Sequence, residues 1–329
     1  VTGGTGFLGT HLLTVLEERG ETALRILTSS GATDALLRRG WEVVEGTILS
    51  PEAVERAVTG VEEIYHLAGR VSRNPDDQRS LYQVHVEGTR LLCQAARGAG
   101  VRRVVMASSS GTVAITEDGK TIPDETYPTP LQLIARWPYY ASKLYQERVA
   151  RKECQEGPEL VILNPSLLLG PGDRRLSSTE DVLKFLARDI PAIPPGGLNF
   201  VDVRDVAAAF AEAMKRARPG ERYLLGGHNW TFEKFFDRLE RLTKVKGPRL
   251  RARGKLFKRG AQILDAIYRQ WEKSPPVERI SVEMAHAFWY VDSSKAGREL
   301  DFEPRDPGET LYDTVAYLNQ TFLGNPVFR

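Results

Sequence analysis

Through the first half of the chain, short apolar runs alternate with longer amphipathic stretches, and few architectures accept that rhythm. Ala23–Thr28, Glu42–Val44, Ile64–Leu67, Arg103–Ala107 and Leu160–Leu163 read as strands. Between them, Leu8, Leu12, Val15 and Leu16 keep one helical face apolar until Gly20, and Leu81–Ala99 does the same over a longer span. Strands separated by helices pair in parallel, because each crossover returns the chain to the same end of the sheet. Right-handed crossovers then wind helices onto both faces, which predicts a doubly wound α/β sheet. Val1 and Thr2 alone precede the first glycine, so the opening strand is expected to be short against the usual 5–6 residues or so.

After Gly170 the pattern loosens around Pro171, Gly172, Pro191, Pro194, Pro195, Gly196 and Gly197, with helices expected over Val203–Lys215 and Phe232–Leu242. Breaks at Gly247–Pro248 and Ser274–Pro275–Pro276 bracket a further helix-like segment. The division expected is a dinucleotide-binding domain over 1–170, with a returning segment at about 198–228. A smaller lobe takes 171–197 and 229–329. Against 43 acidic residues, 45 Lys and Arg leave a net charge of +2, too little for the field of a nucleic-acid-binding protein. Cys93 and Cys154 are the two cysteines; without a CxxC or Cys/His cluster they predict neither disulfide framework nor zinc site. No apolar run approaches the roughly 20 residues of a spanning helix, and the expected location is cytoplasmic.

Gly3, Gly6 and Gly9 recur at three-residue spacing in Thr2–Gly9 and open straight into the first helix. Glycines there permit a tight turn and close approach of a pyrophosphate, while the helix N-terminus supplies N–H donors and positive dipole. The end of the second strand reads Thr28–Ser29–Ser30, without the carboxylate that would hold an NAD ribose and repel a 2′-phosphate. NADP is therefore favoured, with NAD as the alternative. The arginine expected at the strand end is missing: Arg25 lies within the strand, which leaves Arg38 or Arg39 as the candidates to reach the site.

Two further motifs carry hydroxyl and amine chemistry. Val104–Ala107 runs into Ser108–Ser109–Ser110 at the strand's carboxyl end, the edge where open parallel sheets bind ligands. In Pro138–Lys143, Tyr139 and Lys143 stand four apart on an expected helix. An ammonium on the same face favours phenolate and lowers a phenol pKa that is ordinarily about 10. Such a phenol exchanges a proton with a carbonyl or alcohol oxygen that a strand-end serine orients.

With these cues in order, the chain resembles an extended short-chain dehydrogenase/reductase over nearly its full length. TGGTGFLG, HLAG (66–69), VHVEGT (84–89), ASSSGTV (107–113), PYYASK and NPSLLLGPGD (164–173) carry the resemblance. It is most similar to the dihydroflavonol 4-reductase-like and 3β-hydroxysteroid dehydrogenase-like branch, supported by 196–210 and 221–227. The resemblance implies a Rossmann-type doubly wound sheet with a smaller interleaved C-terminal substrate lobe. It implies Tyr139 as proton donor, Lys143 as its tuning partner and ribose contact, and Ser109, or Ser110, as the orienting hydroxyl. Cofactor contacts carry over to Gly3, Thr5, Gly6, Phe7, Leu8, Gly9, Leu67, Ala68, Gly69, Pro165 and Ser166. A homodimer through the helices of 81–99 and 139–153 is also implied. The chain departs from the family at Thr47, near which an Asp is usual, and at His85, where an Asn is usual.

His66 reads as a packed or cofactor-edge histidine, Cys93 and Cys154 as packing residues, and Asp205 as a residue that begins or flanks a helix. No metal is needed. Lys244–Arg259 carries eight cations and no acid among Leu250, Leu256 and Phe257, which reads as a solvated basic face or as a weak membrane-surface contact. Substrate choice is expected in 70–77, 112–137 and 167–200, whose apolar and aromatic content suits a bulky ketone or secondary alcohol. The other readings are a sugar-nucleotide epimerase or dehydratase with retained NAD(P), and a redox-inactive dinucleotide-binding protein.

Overall fold

The computed structural model describes residues 1–29, 33–251 and 279–324. Its main sheet contains β1 (Arg25–Thr28), β2 (Glu42–Glu45), β3 (Glu63–His66), β4 (Arg103–Ala107), β5 (Glu159–Pro165) and, after an excursion, β8 (Arg222–Leu225). Thr2 bridges Leu27 on one side and His66 on the other, both in parallel. It thereby joins β2–β1 to β3–β4–β5–β8, every pairing parallel. The predicted short opening strand thus lies inside the sheet, between β1 and β3.

Strand alternation assigns the core. Tyr65, Val105, Val161 and Leu163 face Leu12 and Leu16 of α1 (Phe7–Glu18) and Val206, Phe210 and Met214 of α9 (Val203–Arg216). Ile64, Val104, Met106, Leu160 and Ile162 face the other way, onto α3 (Pro51–Val58), α5 (Gly88–Gly98) and α7 (Pro138–Glu153). Each fully buried side chain of this size contributes roughly 1.5–3 kcal/mol, so the period-2 pattern fixes register on both faces at once. Gly20, at φ +77°, ends α1 with Glu21 N donating to Leu16 O at 3.0 Å.

A second sheet holds β6 (Leu167–Leu169), β7 (Gly197–Asp202) and β9 (His228–Thr231). β7 runs parallel to β6 and antiparallel to β9. Phe200 and Trp230 of this sheet pack with Phe235 and Phe236 of α10 (Phe232–Thr243). Of the segment at about 198–228, α9 and β8 join the main sheet, whereas β7 belongs to this second one.

One expectation changes in detail. Leu81–Ala99 is not one regular helix: a π-turn at Gln83–Glu87 separates α4 (Gln78–Tyr82) from α5. The polar start of α9 is Asp202, whose carboxylate accepts from Arg204 N at 2.9 Å, while Asp205 binds Arg305. The helix-like segment between the two proline breaks falls mostly outside the described residues, as does Ser30. Among the described residues, no helix is long and apolar enough to cross a membrane.

Candidate active site

The glycine loop is shaped by what its glycines touch. Gly3 adopts φ +70°, and a Cβ there would lie 2.6 Å from the backbone of Leu67 and Ala68; a Cβ on Gly9 would lie 2.1 Å from Gly3 O. Side chains at either position would push the loop off the sheet. Gly6 caps α1 without a side-chain bond, and the first turn contains no acid, so its N–H groups face outward with the positive end of the helix dipole. Ser166 Oγ, just past β5, and Asn164 Oδ1 are buried without a partner. A crowded glycine cradle beneath open N–H donors, with an orphaned hydroxyl across the sheet edge, fits a dinucleotide.

The cofactor residues expected from sequence converge here. Gly3 abuts Leu67 and Ala68, and a Cβ on Gly69 would sit 3.5 Å from Lys143 Nζ. Thr28 is buried at the end of β1, its carbonyl accepting from Gly46 N at 3.0 Å, and Ser29 is exposed beside it. Arg25 points away: it binds Glu42 and the Thr59 carbonyl at the opposite end of the strand. Arg39 pairs with Glu17 and lies over the Trp41 ring, while Arg38 is exposed at the end of its helix.

The catalytic candidates meet at the carboxyl ends of β4 and β5. Ser109 lies close enough to the Tyr139 phenol to pull its pKa down and also caps the 3-10 turn Ser110–Thr112, its Oγ accepting from Gly111 N. Ser110 is buried at the start of that turn. Lys143 Nζ donates to Ala107 O at 3.0 Å and to Gln146 Oε1 at 2.9 Å. Burial pushes this amine down to about 8, with Glu147 opposing the shift. The phenol departs from expectation. Burial, then Tyr140, raise Tyr139 above its ordinary range and only the Ser109 hydroxyl pulls it down. Lys143 does not lower it here, because the ammonium is turned onto Ala107 and Gln146.

Polar residues that the motifs did not reveal hold these groups. Glu147, 1% exposed, accepts from Ser108 Oγ at 2.5 Å, Thr112 Oγ1 at 2.8 Å and Asn164 Nδ2 at 2.7 Å, and pairs with Arg222. Gln146 Nε2 donates to Thr89 Oγ1 at 3.0 Å, and His66 Nε2 lies 2.8 Å from that oxygen and Nδ1 2.8 Å from Thr2 Oγ1. Fully buried and pushed down to about 3 by desolvation, His66 is the packed neutral ring its motif suggested. His85 accepts from Arg70 N through Nε2, so its proton sits on Nδ1 and goes to Ser142 Oγ, whose hydroxyl donates to Tyr139 O. The available signal was that Lys143, Gln146 and Glu147 put polar groups on a helix face that must be buried.

Beside Tyr139 stands an aromatic wall. Tyr140 packs edge-on to Tyr139 with centroids 5.0 Å apart, and Trp289 lies 4.9 Å from Tyr140 and 5.3 Å from Trp137. Sequence gave no sign of Trp289. Arg73, in the first expected substrate segment, binds Asp181 of the second lobe through two bonds of 3.0 and 2.7 Å. In the basic segment, Arg249 and Arg251 pair with Glu240 and Glu233 of α10; Lys255, Lys258 and Arg259 lie outside the described residues. Cys93 and Cys154 are free and pack in the core between α5 and α7.

Residues 1–226 match the model of the NAD dependent epimerase/dehydratase family. A Methylococcus capsulatus protein named sterol demethylase protein B is 33% identical over 97% of this chain and 98% of its own length. A Synechocystis sp. protein assigned the name dihydroflavonol 4-reductase is 32% identical over 96% and 92%. The solved structure of gox2253 superposes with a TM-score of 0.83 at 29% identity, covering 98% of this chain and 97% of that one.

Proposed function

Because the chain belongs to the NAD dependent epimerase/dehydratase family, and is thereby an NAD(P)-dependent oxidoreductase of the extended short-chain dehydrogenase/reductase type, we propose that it reduces a bulky apolar ketone, or oxidises the matching secondary alcohol, with NADP. The observation that carries this reading is the placement of Ser109 beside the Tyr139 phenol at the carboxyl end of β4, with Lys143 buried one helical turn from Tyr139. When bound, the nicotinamide supplies or accepts hydride. Ser109 and Tyr139 hold the substrate oxygen between two hydroxyls. The raised phenol keeps its proton until that oxygen takes it, which suits a general acid. Lys143, its ammonium held on Ala107 O and Gln146 Oε1, anchors the ribose side.

The cofactor would rest on Gly3, Thr5, Gly6, Phe7, Leu8 and Gly9, against Leu67–Gly69 and Pro165–Ser166. The neutral Thr28–Ser29 edge, which carries no carboxylate, supports NADP over NAD. In this proposal 1–170 and the returning 198–228 bind the dinucleotide, 171–197 and 229–329 the substrate, and two chains pair through α4–α5 and α7. A membrane-surface contact through 244–259 belongs to it through the cations other than Arg249 and Arg251, which are engaged, and above all through Lys255, Lys258 and Arg259. Flotation with anionic liposomes, lost when those three become Ser, checks that part.

Titration with NADPH and NADH by fluorescence, then ketone-dependent loss of absorbance with Tyr139→Phe as control, tests the whole. NADPH-linked turnover lost in the variant supports the reading. Tightly held cofactor without net turnover would move the chain to the epimerases, and failure to bind either nucleotide would sink both.

A further inference from the structure

Lys143 lies at one end of an unbroken row of buried hydrogen bonds whose other end is the root of the glycine loop. Its ammonium donates to Gln146 Oε1 at 2.9 Å, and Gln146 Nε2 donates to Thr89 Oγ1 at 3.0 Å. That oxygen is 2.8 Å from His66 Nε2, and Nδ1 across the ring is 2.8 Å from Thr2 Oγ1, which accepts from Ala68 N at 3.2 Å. Thr2, His66, Thr89, Lys143 and Gln146 are each no more than 5% exposed, so the row runs through the interior from end to end. Four elements supply it: Thr2 the opening strand, His66 β3, Thr89 α5, and Lys143 and Gln146 α7.

The groups dictate the sense of the bonds. An ammonium only donates, and a neutral imidazole donates through one nitrogen while accepting through the other. The charge on Lys143 favours the order in which every group donates away from it, because each bond in such a row polarises the next. Thr89 then gives its proton to His66 Nε2, and His66 Nδ1–H donates to Thr2 Oγ1. Thr2 in turn fixes Ala68 N and precedes Gly3, which packs against the Leu67 and Ala68 backbone. We propose that Gln146, Thr89 and His66 are positioning residues that tie the placement of Lys143 to that of the glycine loop, so that a dinucleotide seated on the loop meets an ammonium already aimed at its ribose. A break anywhere in the row frees both ends.

The inference rests on the cofactor half of the reductase reading, and its test reads binding instead of turnover. Ends that act independently lose affinity by factors that multiply, whereas ends joined by one row do not. Fluorescence titrations with NADPH and NADH would compare the native protein, Thr2→Val, Gln146→Leu and the double variant, each checked by circular dichroism. Each single change is expected to weaken the more tightly bound nucleotide about fivefold, and the double variant by about the same factor instead of the roughly 25-fold of independent ends. Thr89→Val, which removes the central hydroxyl at nearly constant shape, should leave Thr2→Val with little more to lose, while Thr89→Ser restores native affinity. Ser142→Ala, on α7 but outside the row, should multiply with Thr2→Val. Losses that multiply for Thr2→Val with Gln146→Leu, or with Thr89→Val where Gln146→Leu does not fold, overturn the row's role. So do single variants of native affinity, a Ser142→Ala loss that fails to multiply, or a native protein that binds neither nucleotide. Coupled losses in a protein that turns over no ketone or alcohol uphold it and overturn the reductase reading alone.

Discussion

Asn164 Nδ2 donates to the Ser109 carbonyl at 2.9 Å while also reaching Glu147, so the loop presenting the proposed orienting serine is pinned from the neighbouring strand. Asn164→Leu keeps the volume and removes the donor. We expect kcat to fall about tenfold, with the fold weakened by about 1–3 kcal/mol as Glu147 loses a partner. Steady-state kinetics beside urea titration checks both, and an unchanged kcat would remove Asn164 from the positioning set.

His66 gives the stability a signed pH dependence. Its folded pKa, about 3, lies below the unfolded value near 6.5. Between these limits the unfolded chain binds the extra proton, so the neutral ring's contribution is complete above pH 6.5 and is lost as pH falls toward 3. His66→Gln should flatten the fall in unfolding free energy between pH 6.5 and 4.5. Parallel slopes for both proteins would refute this.

Gly9→Ala tests the cradle. Its Cβ would strike Gly3 O at 2.1 Å, backbone against backbone, so the loop must move. Nucleotide affinity should drop at least 100-fold by fluorescence titration, or the variant should fail to fold; native affinity in a folded variant would contradict the proposed cradle.

Ser29 stands exposed where β1 ends. Ser29→Asp places a carboxylate where a 2′-phosphate would lie, and charge at that spot should lower the NADPH-to-NADH ratio of kcat/KM at least tenfold. An unchanged ratio would place the ribose elsewhere.

Tyr82 and Tyr145 meet edge-to-face at 6.5 Å on the outer side of α4 and α7, 43% and 49% exposed. Exposed rings this close suit an interface. Sedimentation should give the mass of two chains, and Tyr82→Glu with Tyr145→Glu the mass of one.

The sheet was legible because its signal is local. Period-2 apolar runs and the Gly20 stop lie within a few residues of what they control, and the Ser109, Tyr139 and Lys143 motifs each sit on one element. The π-turn at Gln83–Glu87 was not legible, since an inserted residue shifts a helix face without breaking its apolar pattern. Nor was the state of Tyr139: four-residue spacing places an ammonium near a phenol, but not the Gln146 and Ala107 oxygens that hold it. Trp289 escaped because its partners, Tyr140, Trp137 and Gly197, lie far away in sequence.

That distance bears on how the molecule assembles. Pairing Thr116 with Phe288 closes a very long loop, whose entropy cost is offset only once both lobes have docked. A nascent chain released from its first half alone has every residue of the glycine cradle, Ser109, Tyr139 and Lys143, yet lacks the ring that completes the wall. Tyr140 therefore meets Trp289 only after Thr116 and Gly197 have both paired with the 288–289 backbone.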